Sequence, residues 1–274
     1  MTEPVTSLWF AVLGSPVAHS KSPAMHAAAY RALDLPHAYE RIETSETELP
    51  ERIEALRDGK YAGFNVTIPH KLRVLDLVDE IDESAKNVGA ANTLVRTPQG
   101  KIRAYNTDVG AIEAELARLA NDATAFRGKS AIVLGTGGAA RAAISALTTL
   151  GAKPIIVRGR NQGSLANAPL EAPDAEPKDL RAVIQATSCG MEGAAPGSIV
   201  ANAVAWETVP KEAIALDLVY APPVTPFLEK AAQRGLVNDC GYGMLARQGA
   251  LAFELWLGIP APFEAMLETL RERE

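Results

Sequence analysis

Ala131-Ile132-Val133-Leu134-Gly135-Thr136-Gly137-Gly138-Ala139-Ala140 is the stretch on which the fold turns. Four apolar residues run into a glycine cluster, and an alanine-rich helical pattern follows to about Leu150. Residues 154–157 read as the next strand. The segment is therefore a βαβ unit, the mark of a parallel sheet with crossover helices. The cluster fits G-x-G-x-x-A and joins a strand to a helix, the context in which that pattern binds a dinucleotide. Its first glycine makes the tight turn, and its second lets backbone N–H groups approach a pyrophosphate. The helix N-terminus then favours the anion. A plain strand-to-helix turn with no ligand is the competing reading of so short a motif.

The charges that follow refine this. No acidic residue occurs between Gly135 and Glu171, where the charged residues are Arg141, Lys153, Arg158 and Arg160. A site for NAD usually has an Asp or Glu about 20 residues on, against the ribose hydroxyl. Arg158 and Arg160 stand there instead, just past the second strand, and guanidinium groups suit a 2′-phosphate. The expected cofactor is NADP, unless the two arginines only form a solvated face.

Outward from this centre the chain keeps alternating. Leu8, Phe10 and Val12 alternate as a strand ending at Gly14, and Ser22-Pro23 suits a helix start, with Ser22 as cap. Residues 37–43 and 61–68 read as strands. Pro69 opens a further helix, with Leu72, Leu75 and Val78 at helical spacing. Residues 91–96 and 102–106 pair around Gln99-Gly100, and 112–120 are helical. Residues 163–180 read as a loop with a short helix, 183–186 and 215–219 as strands, and 243–257 and 262 onward as helices.

Composition bounds the class. The 274 residues are 47% apolar and 22% charged, which excludes disorder. No run reaches the length of a membrane span, and the first residues lack the basic start of a cleaved leader. Cys189 and Cys240 are too few for a disulfide framework or a metal site and fit a reducing cytoplasm. A net charge of −6 with 5% aromatic residues gives no footprint for nucleic acid.

Short polar clusters stand at the predicted strand ends. Ser20 and Ser22 place two hydroxyls at a helix start, where orphan N–H groups add positive potential for a carboxylate. Asn65 and Thr67 share one strand face. Lys71 falls in the predicted first turn, the unfavourable end of the helix dipole for a cation, which suits a proton-transfer lysine. Asn92-Thr93 and Asn106-Thr107-Asp108 are further clusters, with Asp108 also able to cap a helix. Together they describe a pocket for a small, hydroxylated anion, while capping and solvation remain the simpler readings of each alone.

Eight ordered blocks then carry a resemblance. GSPVAHSKSP (14–23), NVTIPHK (65–71), GAANTL (89–94), NTD (106–108), the glycine loop (135–140), ATSCGM (186–191), DLVYAP (217–222) and GMLARQ (243–248) together resemble the shikimate dehydrogenase family over nearly the whole chain. The resemblance implies an α/β fold with an N-terminal α/β substrate domain (1–112) and a Rossmann-type NADP-binding domain (113–241). It also implies C-terminal helices (242–274) that return to the first domain. It implies reversible reduction of 3-dehydroshikimate to shikimate by NADPH in the cytoplasm, by a monomer or homodimer that needs no metal, membrane or nucleic acid. Lys71 and Asp108 would be the catalytic pair. Ser20 and Ser22 would bind the substrate carboxylate, and Thr67, Asn92, Tyr220 and Gln248 its hydroxyls. Gly135, Thr136, Gly137, Gly138 and Ala139 would cradle the pyrophosphate. Arg158 and Arg160 would meet the adenosine phosphate, Leu218 and Gly241 would line the nicotinamide, and Glu83 would lie near the cofactor.

Three positions depart from the family pattern: Ala27 stands where Asn is usual, Asp108-Val109-Gly110 replaces Asp-Gly-x, and Arg158-Gly159-Arg160 replaces Asn-Arg-Thr. The alternatives are an NAD-dependent quinate/shikimate or aminoshikimate enzyme, and a non-catalytic shikimate sensor on the same fold. Retention of both Lys71 and Asp108 favours an enzyme.

Overall fold

The structure, a computed structural model, describes residues 6–160 and 165–272. Its first strand, β1 (Trp9–Gly14), is buried from Phe10 to the end, not on alternate residues. Both faces are covered, as befits a strand paired in parallel on both sides. Then come α1 (Ser22–Ala32), β2 (Ala38–Glu43), α2 (Leu49–Arg57), β3 (Gly63–Val66), β4 (Glu80–Ile81), α3 (Glu83–Val88), β5 (Thr93–Arg96) and β6 (Ile102–Tyr105). The sheet order is β2-β1-β3-β5-β6-β4. β1 is parallel to β2 and β3, whereas β5 is antiparallel to β3 and β6.

The chain continues through α4 (Asp108–Ala120), β7 (Ser130–Leu134), α5 (Gly138–Thr149), β8 (Ile155–Gly159), β9 (Ala168–Pro169), β10 (Leu180–Gln185), α6 (Ser198–Ala201), β11 (Ile214–Asp217), α7 (Pro226–Arg234) and β12 (Val237–Asp239). It closes with α8 (Tyr242–Leu257) and α9 (Phe263–Arg271). Two compact units result: residues 1–107 with 245–274, and residues 108–244.

In the first unit, Ala11 and Leu13 of β1 share a core with Leu49, Ile53 and Leu56 of α2. The opposite face carries Phe10, which stacks on Trp256 of α8 at 4.8 Å. Gly63 admits that indole, because a Cβ there would fall 2.1 Å from Trp256 Nε1. The Nε1 donates to the Leu94 carbonyl at 2.9 Å. The C-terminal helices are thus built into the first sheet's own core.

His26 of α1 lies in this aromatic layer, fully buried, and stacks on Tyr39 at 4.3 Å and 6°. Its ring nitrogens have no hydrogen-bond partner, and Ala27 beside it has no polar side chain to offer. Burial lowers the imidazole from 6.5 to about 3. Below about pH 6.5 the unfolded chain therefore takes a proton that the folded chain refuses, and this contribution to stability is lost as pH falls toward 3. His26→Phe keeps the stacking and removes the titration. Its unfolding free energy should gain on wild type by about 1.4 kcal/mol per pH unit below the unfolded pKa. Urea unfolding at about pH 7.5, 6 and 5 reads this difference; a gap independent of pH would mean the folded imidazole accepts the proton.

The second unit has the parallel order β12-β11-β10-β7-β8-β9. Counted from β7 in chain order, that is 3-2-1-4-5-6 read from the β9 side, the doubly wound arrangement that binds ligands beyond the carboxyl ends of its strands. β7 is buried throughout.

Two expected elements are replaced. No α-helix follows Pro69; a turn leads into a short 3₁₀ stretch, Arg73–Leu77. The Lys71 carbonyl that a helix would offer to Leu75 is taken by the Ala91 N–H at 2.8 Å, and Leu75 bonds Leu72 instead. The dipole argument for Lys71 therefore falls. Within 165–180 there is no helix but the two-residue β9, because Asn167 is tied to β8: its Oδ1 accepts the Val157 N–H (2.8 Å) and its Nδ2 donates to the Ile155 carbonyl (3.1 Å).

Candidate active site

Buried amides and hydroxyls meet at the strand ends of the first unit. Asn65 Oδ1 accepts the Tyr39 hydroxyl (2.8 Å), and its Nδ2 donates to the Asn92 carbonyl and the Thr93 hydroxyl, both at 3.1 Å. Asn92 Nδ2 donates to Thr107 Oγ1 (2.9 Å) and reaches Gln248 Oε1 (3.5 Å), while its Oδ1 accepts the Thr107 N–H (2.8 Å). A satisfied network of this kind fixes its members' orientation. Amides and hydroxyls, which both donate and accept, suit a ring bearing several hydroxyls. Asn92 and Gln248 are brought together; Thr107, marked in the sequence only as part of the Asn106-Thr107-Asp108 cluster, joins them, as does Tyr39, which carries no sequence signal.

At the start of α1, Lys21 occupies the cap position and Ser22 lies inside the helix. Ser22 is not the cap; Ser20 Oγ accepts its N–H at 3.3 Å instead. Both serines still stand at the helix start, tied by that bond. Half-buried Thr67 is held by its N–H on the Leu13 carbonyl (2.8 Å). Lys71 follows in the turn after His70, whose buried Nε2 meets the Thr44 carbonyl at 2.6 Å. Glu83 is exposed and pairs with Lys86 at 3.2 Å.

The second unit carries the glycine loop. Gly135 has φ +120°, a conformation open to glycine, and a Cβ there would come 2.9 Å from the Ala186 carbonyl. Gly137 is the N-cap of α5, without a side-chain cap, and nothing lies within 4 Å of where its Cβ would be. Orphan N–H groups facing open space are what a pyrophosphate needs. The residues fit a dinucleotide. Asp108 is the first residue of α4 and is buried. Leu218 and Tyr220 follow β11, with Tyr220 6.0 Å from the Tyr242 ring, and Gly241 follows β12.

Arg158 overturns an expectation. It is 3% exposed, and its fork grips Glu176, Nη1 to Oε1 at 2.9 Å and Nη2 to Oε2 at 2.6 Å. Nη1 also donates to the Ala203 carbonyl at 2.6 Å. A buried guanidinium whose fork is held by an internal carboxylate is turned away from a cofactor phosphate. Arg160, exposed beyond β8, keeps that role open.

Two further buried polar groups stand in this unit, Asp217 marked in the sequence only as the first residue of the DLVYAP block and Gln185 not marked at all. Gln185 and Asp217 are fully buried register partners at the ends of β10 and β11. Burial raises the Asp217 carboxyl to about 6, against opposing hydrogen bonds from Thr225 and Val219. Among the described residues no cluster of three or more His, Cys, Asp or Glu side chains could hold a metal ion. None of their helices is long and apolar enough to cross a membrane.

The family model for the shikimate dehydrogenase substrate binding domain matches residues 12–94, and that for the shikimate 5′-dehydrogenase C-terminal domain matches residues 241–271. The shikimate dehydrogenase (NADP(+)) of Nitrosopumilus maritimus is 36% identical over 95% of this chain and 97% of its own. The chain belongs to the shikimate dehydrogenase family. A solved family member, the shikimate 5-dehydrogenase of Thermus thermophilus in complex with NADP(H) and shikimate, is 37% identical. It covers 96% of this chain and 98% of its own, with a TM-score of 0.81. The ligand-free 5-ketofructose reductase of Gluconobacter sp. strain CHM43 is also similar, at 29% identity, 97% and 99% coverage and a TM-score of 0.81. The shikimate dehydrogenase architecture thus extends to another named reductase, and the substrate must be argued from side chains.

Proposed function

We propose that this protein catalyses the reversible reduction of 3-dehydroshikimate to shikimate with NADPH. The observation that carries this reading is the buried network of Asn65, Asn92, Thr107 and Gln248, in a chain that also holds the Ser20–Ser22 corner and Lys71. Ser20 and Ser22 bind the substrate carboxylate, and Thr67, Asn92, Tyr220 and Gln248 bind ring hydroxyls. Gly135, Thr136, Gly137, Gly138 and Ala139 hold the pyrophosphate, Leu218 and Gly241 face the nicotinamide, and Arg160 meets the 2′-phosphate.

NADPH supplies the hydride when bound. Lys71 gives its Nζ proton to the carbonyl oxygen in reduction and recovers it in oxidation, and Asp108 orients that amine and hydrogen-bonds the same oxygen. The free thiols of Cys189 and Cys240 support a cytoplasmic setting, where the protein acts as a monomer or homodimer.

Initial rates with NADP or NAD, each against shikimate and quinate, test the reading. Turnover of shikimate with NADP is expected. Tight shikimate binding without turnover on either cofactor would point to a sensor. With Arg158 internal, cofactor choice falls on Arg160. Arg160→Gln should lower kcat/KM for NADP by about 10- to 100-fold, the loss of a charge-assisted hydrogen bond, and leave the NAD rate within about two-fold. Equal losses on both cofactors would remove Arg160 from phosphate recognition.

A further inference from the structure

Asp217 is fully buried at the carboxyl end of β11, the side of a doubly wound sheet on which ligands bind. β10, β11 and β12 form the second half of that sheet, away from the first βαβ unit that takes the adenosine. The Asp217 carboxylate folds back on its own loop. Oδ1 accepts the Val219 N–H at 2.9 Å, and Oδ2 accepts the Thr225 hydroxyl at 2.5 Å. Thr225 in turn caps α7 by accepting the Leu228 N–H at 3.3 Å. The chain between Asp217 and α7 is thus held at both ends by one buried side chain.

The neighbouring loop hangs on the same residues. The Val219 carbonyl accepts the Gly241 N–H at 3.1 Å, and the Leu218 N–H donates to the Gln185 carbonyl at 2.9 Å. Gly241 lies so close that a Cβ would sit 2.5 Å from the Leu218 carbonyl oxygen. Gln185, paired with Asp217 in the sheet, steadies the loop after β10 in the same manner: its Oε1 accepts the Thr187 N–H at 2.5 Å and its Nε2 donates to the Cys189 carbonyl at 3.1 Å.

We propose that Asp217 is a positioning residue for the nicotinamide half of the cofactor, setting Leu218 and, through Val219, Gly241. The inference rests on the reading of this protein as an NADP-dependent dehydrogenase. Its energetic logic is that of a group which never touches the reactants but fixes the atoms that do. Displacement of reacting groups by about 1 Å can cost on the order of 10²-fold in rate.

The test uses the full chain with Asp217→Ala, Asp217→Asn and Thr225→Val. Kd is measured for NADP and for 2′-phospho-ADP-ribose, which lacks the nicotinamide, beside kcat and KM for NADP. Asp217→Ala should lower kcat by about 10- to 100-fold and weaken NADP, while the nicotinamide-free fragment binds within about two-fold of wild type. Asp217→Asn, able to accept from Val219 and donate to Thr225, should recover part of the loss. Thr225→Val should repeat the pattern more mildly and keeps the test open should the alanine variant not fold. Equal weakening of fragment and NADP, or a drop in melting temperature with kcat and NADP affinity intact, would overturn the proposal. Failure of wild type to turn over shikimate with NADP would instead sink the reading of function on which it rests.

Discussion

Lys71→Ala is expected to lower kcat by about 10²–10⁴, the usual worth of a positioned acid–base group, with a smaller change in the KM for shikimate. The surroundings make this a test of chemistry. The Lys71 carbonyl is held by the Ala91 N–H at 2.8 Å, and the preceding residue is anchored by His70 Nε2 on the Thr44 carbonyl at 2.6 Å. Those bonds do not use the Lys71 side chain, so they should hold the loop on its path in the variant. A proton donor matters in the transition state more than in the bound ground state, so kcat and kcat/KM should fall together. Steady-state kinetics in both directions check this. An intact kcat with a raised KM would make Lys71 a binding residue, and the proton would then need another source.

That lysine also shows where sequence reading reaches and where it stops. The glycine loop was legible because its requirements are local: Gly135 needs an unusual φ, and its strand and helix adjoin it. The helix after Pro69 was misread because Leu72, Leu75 and Val78 give the right spacing for only one short stretch. The residue that claims the Lys71 carbonyl, Ala91, lies about 20 positions on, and periodicity does not see it. α7 and β12 lie outside the predicted elements, although Thr225-Pro226 and Gly235 are an ordinary start and stop. The site residues of the first unit were legible as polar residues at strand ends. Their connections were not, since Asn92 meets Gln248 across 156 positions of sequence. Asp217 and Gln185 carry no local signal of burial. Arg158 was the sharpest failure: the run of positive charge was real, but its sign says nothing about which partner each guanidinium finds.

Glu176→Ala is expected to destabilise the protein by about 3–5 kcal/mol, the cost of stranding a buried charge. Glu176 is 5% exposed, and it answers both prongs of Arg158 and also the Ala205 N–H at 2.8 Å. Its loss leaves a guanidinium in a dry site with only the Ala203 carbonyl of its recorded partners, and an N–H with none. Guanidinium chloride unfolding, with the slope unchanged, would show the loss as a lower midpoint. The double variant Arg158→Met/Glu176→Leu removes both charges and should recover most of that stability, since the desolvation cost of an ion pair often matches its attraction. Recovery should be incomplete, because the Ala203 carbonyl and the Ala205 N–H still lose their partners. The same double variant separates the two readings of Arg158. As an internal strut, its removal leaves the NADP-over-NAD preference close to that of wild type. As a phosphate ligand, its removal would erase much of that preference even in a variant that folds well. Stability recovered together with NADP preference would therefore place the selection of the 2′-phosphate outside Arg158 and leave it to groups beyond the end of β8, of which Arg160 carries the charge.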